Sequence, residues 1–437
     1  MKWLAFGTAL AGVYPLAIWL RRDPRAERWA WTTLGMLLFI QPGLNFLKIG
    51  IISWPWFPGW THGFEVTLID LLAVSLRLAQ PTGLPRAPWR LGRTIFFLTV
   101  LASAWQAHFF LAAIFGLWLF LRVLFLFTVV ARNSTRVAIG HSLLLGMKWG
   151  VVVTFAIAVL QRYVLGYHEA YGTFGHQNGI GLMCNLVIMP TFALALRRGG
   201  SRLDLAVPLL GAVALILSLS RAGILLLLAG LALVFAFSLR RPTRRQWLIM
   251  AAGGVAAVTL FLRAGDQIYV RFTERSYGTF DAAVVDERAL LEHAAQLMLR
   301  DHPLGVGANH FTHALHAQGY FAKVGLLARG AATDLIKVHN VYRLVGSELG
   351  YPGLLAFSLL LGTIIAVAFR HALGLRGSAR GDLAFGAAVG MLVFAVQGLV
   401  EWIQITATMQ YAFWTMAGVT AGVSGTSRSS SMNRKRT

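Results

Sequence analysis

Apolar residues run along this chain in long blocks, not in the alternating or 3.6-residue stripes of a water-soluble domain. A helix crossing a hydrocarbon core of about 30 Å needs roughly 20 mostly apolar residues. Blocks of that kind cover Trp3–Leu20, Trp29–Ile52, Phe64–Ala79, Thr94–Phe110, Leu111–Ala131 and His141–Leu160. They continue over Ile180–Leu196, Leu203–Leu217, Gly223–Leu239, Gln246–Leu262, Leu349–Phe369, Leu383–Val400 and Ile403–Val423. The pattern predicts an all-α polytopic membrane protein with about 12 (12–13) transmembrane helices and a long, mainly helical outer loop. It divides the chain into N-terminal transmembrane helices (1–262), a loop or cap (263–348), C-terminal transmembrane helices (349–423) and a basic tail (424–437).

Composition narrows the class. Of the 437 residues 57% are hydrophobic and 13% charged, against about 25% charged in an ordinary soluble domain, so a soluble enzyme is excluded. A disordered basic protein could not carry this much Leu, Phe and Trp. The formal net charge of +22 suggests a polyanion until the charges are placed. The connections 21–28, 81–93, 132–136, 197–202, 240–245 and 370–380, with the tail from Arg428, hold 23 of the 39 Lys and Arg. They are every other connection, so the excess reads as an orientation signal that puts them in the cytoplasm, and nucleic acid is not called for. The opposite connections carry Trp54, Trp56, Trp60, Tyr163, Tyr167 and Tyr171, as in an interfacial aromatic belt. At the N-terminus the apolar run lacks a cleavage site and is followed by Arg21, Arg22, Arg25 and Arg28, which predicts an uncleaved first helix.

The long outer connection carries nine basic and nine acidic residues and so has no formal net charge. Loops beyond about 15 residues are functional or disordered more often than mere linkers. Helical spacing of Leu290, Leu291, Ala294, Leu297 and Met298 predicts a helix over Asp286–Leu299, stopped by Pro303 and Gly305. A second helix is expected around Asn309–Gln318. The single cysteine, Cys184, lies in an apolar run and packs; it can form no intrachain disulfide and no Cys-based zinc or redox motif.

Several residues break the pattern. Arg221, in Leu217-Ser-Leu-Ser-Arg-Ala-Gly223, lies between two apolar blocks on the side where basic residues are otherwise avoided. An Arg at membrane depth costs at least about 2.5 kcal/mol on insertion scales. It either snorkels to water or binds an anion, helped by the helix start at Gly223. His310, His313 and His316 suggest a metal at first, but residues six apart on a helix diverge by roughly 120°, so no metal is expected there. His339 stands where the loop re-enters the membrane, in His339-Asn-Val-Tyr-Arg-Leu-Val-Gly-Ser-Glu-Leu-Gly350. A His at such a place can act as a general base near neutral pH, or serve structure. Glu348 reads as a buried hydrogen-bonding carboxylate. The turn Gly172-Thr-Phe-Gly-His-Gln-Asn-Gly-Ile-Gly181 can present backbone N–H groups to phosphate. Elsewhere, Gly386/Gly390 and Gly418/Gly422 suit close helix packing.

Together these segments resemble the O-antigen ligase family of the wider O-antigen ligase/polymerase superfamily. The resemblance rests on Gly172-Thr-Phe with Asn178, on Ser220-Arg221-Ala-Gly223, and on Arg288 with His302-Pro-Leu-Gly-Val-Gly307. Its most specific piece is His339-Asn340 followed by Glu348-Leu-Gly350 and Gly353. By motif it covers roughly residues 170–365. The resemblance implies a GT-C type glycosyltransferase of the bacterial inner membrane, active on the periplasmic side, with a cytoplasmic C-terminus. Such ligases move a glycan from undecaprenyl pyrophosphate to a sugar of the lipid A–core, without metal, cofactor or nucleotide sugar.

Carried over by motif, His339 matches the family's essential loop histidine, and Arg221 and Arg288 match its two essential arginines. Arg162 and His176 join the donor pyrophosphate group from their outer-side position alone. Pyrophosphate leaves with developing negative charge, which suits paired Arg hydrogen bonds, and in-line attack would invert the anomeric carbon. An O-antigen polymerase or a protein O-oligosaccharyltransferase of the same superfamily is the alternative. From another class, a lipid-linked glycan flippase or transporter is kept in view by Asp70, Arg77 and Arg122.

Overall fold

The computed structural model describes residues 2–43, 48–197, 199–238, 243–255, 287–326 and 337–434, with 259 and 265 singly, and side chains from 3 to 422. The end of the expected span Gln246–Leu262, most of 256–286 and the cap segment 327–336 lie outside the described residues.

In chain order the helices are α1 (Lys2–Ala11), α2 (Val13–Arg22), α3 (Pro24–Ile40), α4 (Leu68–Ala79), α5 (Arg90–Trp105), α6 (Phe110–Asn133) and α7 (Val137–Val159). A π-helical turn at Leu160–Val164 precedes α8 (Gln177–Ala195), α9 (Arg202–Leu217) and α10 (Arg221–Ser238). Residues 244–255 are helical (α11). The cap supplies α12 (Glu287–Asp301), α13 (Phe311–Ala317) and α14 (Tyr320–Lys323), followed by α15 (Val341–Gly374), α16 (Ala379–Gln397) and α17 (Ala407–Arg434). Both expected cap helices are present, within two residues of the sequence-predicted ends.

Among the described residues seven helical stretches are long and apolar enough to cross a membrane: Trp3–Arg22, Phe110–Asn133, Val137–Val164, Gln177–Ala195, Arg221–Ser238, Val341–Gly374 and Ala379–Gln397. The sequence pattern predicted more, partly because it counted shorter helices. Helices α3, α5 and α9 have 17, 16 and 16 residues, a rise of about 24–26 Å.

Within this mostly helical architecture there is one element that hydropathy did not foresee. A two-stranded antiparallel hairpin, β1 (Lys48–Ser53) with β2 (Gly63–Thr67), stands where the spans Trp29–Ile52 and Phe64–Ala79 were expected to end and begin. Lys48 pairs with Thr67 and Gly50 with Glu65, and the register shifts between Gly50 and Ser53. The β-branched run Ile49, Ile51, Ile52 suits a strand, and short apolar strands cannot be told from helix ends by hydropathy alone. Lys48 Nζ binds Glu65 Oε1 at 2.8 Å across the hairpin, and the Trp118 indole ties Glu65 O to α6 at 2.7 Å. After β2, Thr67 and Asp70 form a capping box that starts α4.

The chain divides into two compact units. Unit 1 comprises Met1–Gly146, Asp286–Val367 and Gly398–Thr437; unit 2 comprises Met147–Val285 and Ala368–Gln397. In unit 1, α17 packs on α6 with Gly418 against Val130 and Gly422 against Ser134. In unit 2, α8 is buried almost all round and packs on α16. There Gly386 lies on Pro190, and Gly390 on the Leu186 carbonyl that Pro190 leaves without its helical donor. Cys184 is buried in α8, as its apolar surroundings suggested.

Connections assigned to one side by their basic residues do meet within each unit. In unit 1, Arg136 binds Glu27 at 2.9 and 2.6 Å, Arg21 donates to Leu78 O, and Arg132 to Leu84 O. In unit 2, Arg197 binds Asp382 at 2.7 Å, Arg245 donates to Ala195 O and Gly200 O, and Arg376 to Phe237 O. The opposite ends converge as well: Ala170 N–H donates to Leu217 O in unit 2, and Val341 N–H to Gly398 O in unit 1.

Candidate functional site

In unit 1 the cap is clasped by a buried carboxylate. Glu348, in the second turn of α15, is 1% exposed. Its Oε1 accepts from Phe311 N–H at 3.1 Å and its Oε2 from Asn309 N–H at 2.9 Å. The Trp60 indole N–H reaches both oxygens, at 3.2 and 2.9 Å. Asn309 adopts φ +65° and is fully buried. Its Oδ1 accepts from Trp60 and Thr61 N–H, at 2.7 and 3.1 Å, and its Nδ2 donates to Thr61 O and Ala112 O, at 2.8 and 3.0 Å. The Lys337 ammonium completes the knot with Pro58 O and with Thr312 Oγ1 at 2.8 Å. Burial pulls Lys337 down to about 8, against the raising influence of Glu348. A buried charge of this kind persists only when surrounded by donors, and here every contact serves to join cap, hairpin loop and α15. The structural reading of Glu348 therefore holds.

Gly350 is the hinge of this arrangement. Its φ of 70° and ψ of −173° break α15 just after Glu348, in a region open almost only to glycine. A Cβ there would lie 2.3 Å from Pro303 O. Tyr351 N–H donates to that same Pro303 oxygen at 2.9 Å, and Gly307 N–H to Glu348 O at 3.0 Å. The cap's Pro-Leu-Gly-Val-Gly stretch is thus stitched to the broken turn of α15.

His339 sits two residues ahead of α15. Asn340 is the local reason for the helix start, since its Oδ1 accepts from Tyr342 and Arg343 N–H at 3.0 and 3.1 Å. The His339 side chain is 25% exposed, and its Nδ1 faces Glu401 Oε2 at 3.8 Å, with Glu401 only 3% exposed. Among the described residues that Nδ1 has no hydrogen-bond partner at ordinary distance. Sequence reasoning missed Glu401. Its only signal was an acid in the short connection between two apolar blocks, 401 lying far along the chain from 339.

Arg288 is also in unit 1, half-buried in the first turn of α12, whose Leu291, Ala294, Ala295 and Met298 face inward. Of the three cap histidines, His310 and His313 pack on each other, with centroids 5.8 Å apart, and share Phe57 and Phe109. His310 Nε2 accepts from Phe109 N–H at 3.0 Å, so Nδ1 carries the proton toward Ala308 O at 2.8 Å. Burial lowers its pKa to about 4. His313 stacks on His108 with centroids 5.2 Å apart, and His316 packs on Phe321.

Unit 2 carries Arg221, Arg162 and His176. Two motif segments that are 42 residues apart meet here, where Ser220 Oγ donates to Asn178 Oδ1 at 2.7 Å. Asn185 Nδ2 donates to Gly223 O at 3.1 Å. Gly181 and Gly223 let α8 and α10 touch: a Cβ on either would be 3.2 Å from the other's Cα. Arg221 is the first residue of α10 and half-exposed. His176 caps α8, its Nδ1 accepting from Asn178 N–H at 3.2 Å. Gln161 holds the glycine turn through Tyr171 N–H, Gly172 N–H and Gly172 O, at 3.0, 2.8 and 2.9 Å. The Arg162 guanidinium donates to Tyr167 O and His168 O, at 3.0 and 2.6 Å, closing the turn after the π-helical segment.

Residues 206–358 match the family model described as O-antigen ligase. The matched stretch contains Arg221, Arg288, His339 and Glu348. Over that stretch, about a third of its length, the chain is similar to the O-antigen ligase family. The match supports a place in the O-antigen ligase/polymerase superfamily, and members of the matched family are glycosyltransferase-like enzymes of polysaccharide biosynthesis. No curated protein matches the chain significantly. Asp70, Arg122 and the loop glycines 172 and 175 lie outside the matched stretch, as do Trp60 and Thr61 of the knot, whereas Glu348 and Asn309 lie within it.

Proposed function

We propose that this protein is an O-antigen ligase, transferring a glycan from undecaprenyl pyrophosphate to a sugar of the lipid A–core. In this reading it is a GT-C type enzyme of 12–13 spans in the bacterial inner membrane. The ends carrying His339 and Arg221 face the periplasm and the C-terminus faces the cytoplasm. The observation that carries the reading is His339, within the family-matched stretch, set beside the buried Glu401 at the start of α15.

His339 takes the proton of the acceptor hydroxyl. Glu401 favours the tautomer protonated at Nδ1, which leaves Nε2 as the base. The acceptor oxygen forms a bond to the anomeric carbon as the bond to phosphate breaks, and undecaprenyl pyrophosphate leaves with inversion. Arg221 and Arg288 bind that pyrophosphate, with Arg162 and His176 as further donor-side residues; no metal takes part. His176 and the start of α10 supply helix N-termini that favour an anion as well.

Purified protein, given lipid-linked glycan and lipid A–core in chelator, is expected to form the glycosidic bond. His339→Ala is expected to lower transfer at least about 100-fold. Full transfer by His339→Ala would overturn the base role, and retention of anomeric configuration would overturn direct displacement. Polymerase or protein O-oligosaccharyltransferase activity would appear in the same assay as transfer to a second lipid-linked glycan or to protein. The transporter reading is disfavoured by Asp70, whose oxygens are taken by Arg122 at 3.0 and 2.7 Å, by Thr67 and by Tyr411. A proton relay needs a carboxylate with room to change partners.

A further inference from the structure

At the basic end of unit 2, α8, α10 and the start of α16 leave a cavity of about 780 Å³. Its lining brings apolar side chains, Leu196, Val234 and Phe237, together with charged ones, Arg197, Arg376 and Asp382. The Arg376 guanidinium lies 4.4 Å over the Phe237 ring, and its Nη2 donates to Phe237 O at 3.1 Å, so its plane is fixed. Arg197 Nη1 donates to Asp382 Oδ2 at 2.7 Å and to Gly377 O at 3.2 Å. Asp382 therefore offsets Arg197, while Arg376 has no carboxylate partner among the described residues. Seven described Arg residues fall in the connections of this end: 197, 202, 244, 245, 370, 376 and 380.

An orientation signal accounts for the number of these charges. It does not require a recess, a stacked guanidinium, or apolar and charged side chains lining one cavity. That mixture suits a molecule lying across an oil–water boundary, with phosphate for the guanidinium groups and glycerol and upper acyl chain for the apolar ones. Basic recesses between transmembrane helices hold anionic lipid headgroups in this way, and the volume falls within the usual range for a bound small molecule.

We propose that this cavity binds the phosphate headgroup of an anionic membrane phospholipid. Arg376 and the outer edge of Arg197 face the phosphate, and Leu196, Val234 and Phe237 line the apolar part. The lipid braces the ends of α8, α10 and α16 against one another. The proposal rests on the membrane reading of the chain and not on the transferase reading.

The test uses the full chain in nanodiscs of phosphatidylcholine with graded phosphatidylglycerol, read by native mass spectrometry for retained lipid and by thermal unfolding. Retention of phosphatidylglycerol over phosphatidylcholine is expected, with a rise in unfolding temperature. Arg376→Gln is expected to weaken retention roughly fivefold, and Arg376→Lys less, since about one charge contact is removed or blunted. Arg22→Gln, an exposed basic residue in unit 1, is expected to leave it unchanged. Equal retention of the two lipids, or equal loss with Arg22→Gln and Arg376→Gln, would overturn the proposal. Stabilisation by inorganic phosphate alone, with no lipid preference, would reassign the recess to a free anion. If Arg376→Gln misfolds, Phe237→Leu removes the stacking face while keeping the charge and is expected to reduce retention.

Discussion

The Trp60 indole donates to both carboxylate oxygens of Glu348, at 3.2 and 2.9 Å, across 288 residues of chain. With Asn309 and Phe311 N–H on the same carboxylate, the hairpin loop, the cap and α15 share one acceptor group. Glu348→Gln keeps the shape but turns an amide NH2 toward N–H donors. It is expected to destabilise the protein by about 1–3 kcal/mol, the usual penalty for an unsatisfied buried group. Unfolding in detergent, compared with the wild type, measures this.

Gly350→Ala is expected to be worse than a helix propensity scale suggests. Alanine is a better helix former, yet here its Cβ meets Pro303 O at 2.3 Å, in a conformation that strains any L-residue by about 1–3 kcal/mol. Faster proteolysis within 302–310 in the variant, with the rest of the chain protected, is the expected readout.

Cap stability should fall as the medium is acidified. His310 is held neutral in the fold, its pKa lowered to about 4 by burial, whereas the unfolded side chain titrates at about 6.5. Between these values the unfolded state binds the extra proton, so stability is full above about pH 6.5 and declines toward pH 4. The loss approaches roughly 3 kcal/mol. Unfolding midpoints across pH 7.5 to 4 test it, and His310→Gln is expected to flatten the dependence at some cost in stability at pH 7.5. Lys337 acts at the other end: its pKa near 8 means a charged, buried ammonium below that value. Stability therefore rises as pH increases from about 8 toward 10.5.

Glu401→Gln is expected to lower transfer about 10- to 100-fold, the range for partners that orient a functional group, and to alter the pH profile. A purely structural carboxylate would lower the amount of folded protein and leave the profile of the remainder unchanged. Rate against pH for the purified variant separates the two.

Gly223→Val should push α10 from α8, because its first side-chain atom alone would lie 2.9 Å from Ser220 Oγ and 3.2 Å from Gly181 Cα. Overpacking of this kind costs about 1–3 kcal/mol. Loss of thermal stability together with loss of transfer is expected, and Ser220→Ala, which removes only the hydrogen bond to Asn178, is expected to show a smaller effect on both.

Hydropathy made α6, α8, α9, α10 and α16 legible to within about four residues, because each is one continuous apolar block ended by a charge, cap or glycine. It failed at 44–67. There Ile49, Ile51 and Ile52 extend an apolar run without extending a helix, and residue type alone does not separate a buried strand from a span's end. At the site, short local order was readable: Glu348 as a buried acceptor, and Asn178 with Ser220 as parts of one motif set. What was not readable depends on chain crossing in space. Trp60 and Asn309 are ordinary loop residues in sequence, and Glu401 is a single acid among apolar neighbours. Their roles exist only once distant segments have packed.

The 288-residue reach of the Trp60–Glu348 contact also sets an order of events during biogenesis. The loop between β1 and β2 is made and delivered to its side of the membrane long before the carboxylate that secures it leaves the ribosome. Until then Trp60, Thr61 and Ala112 present donors and acceptors whose native partners do not yet exist. Insertion intermediates paused before residue 309 should accordingly be the species most open to proteases and membrane chaperones.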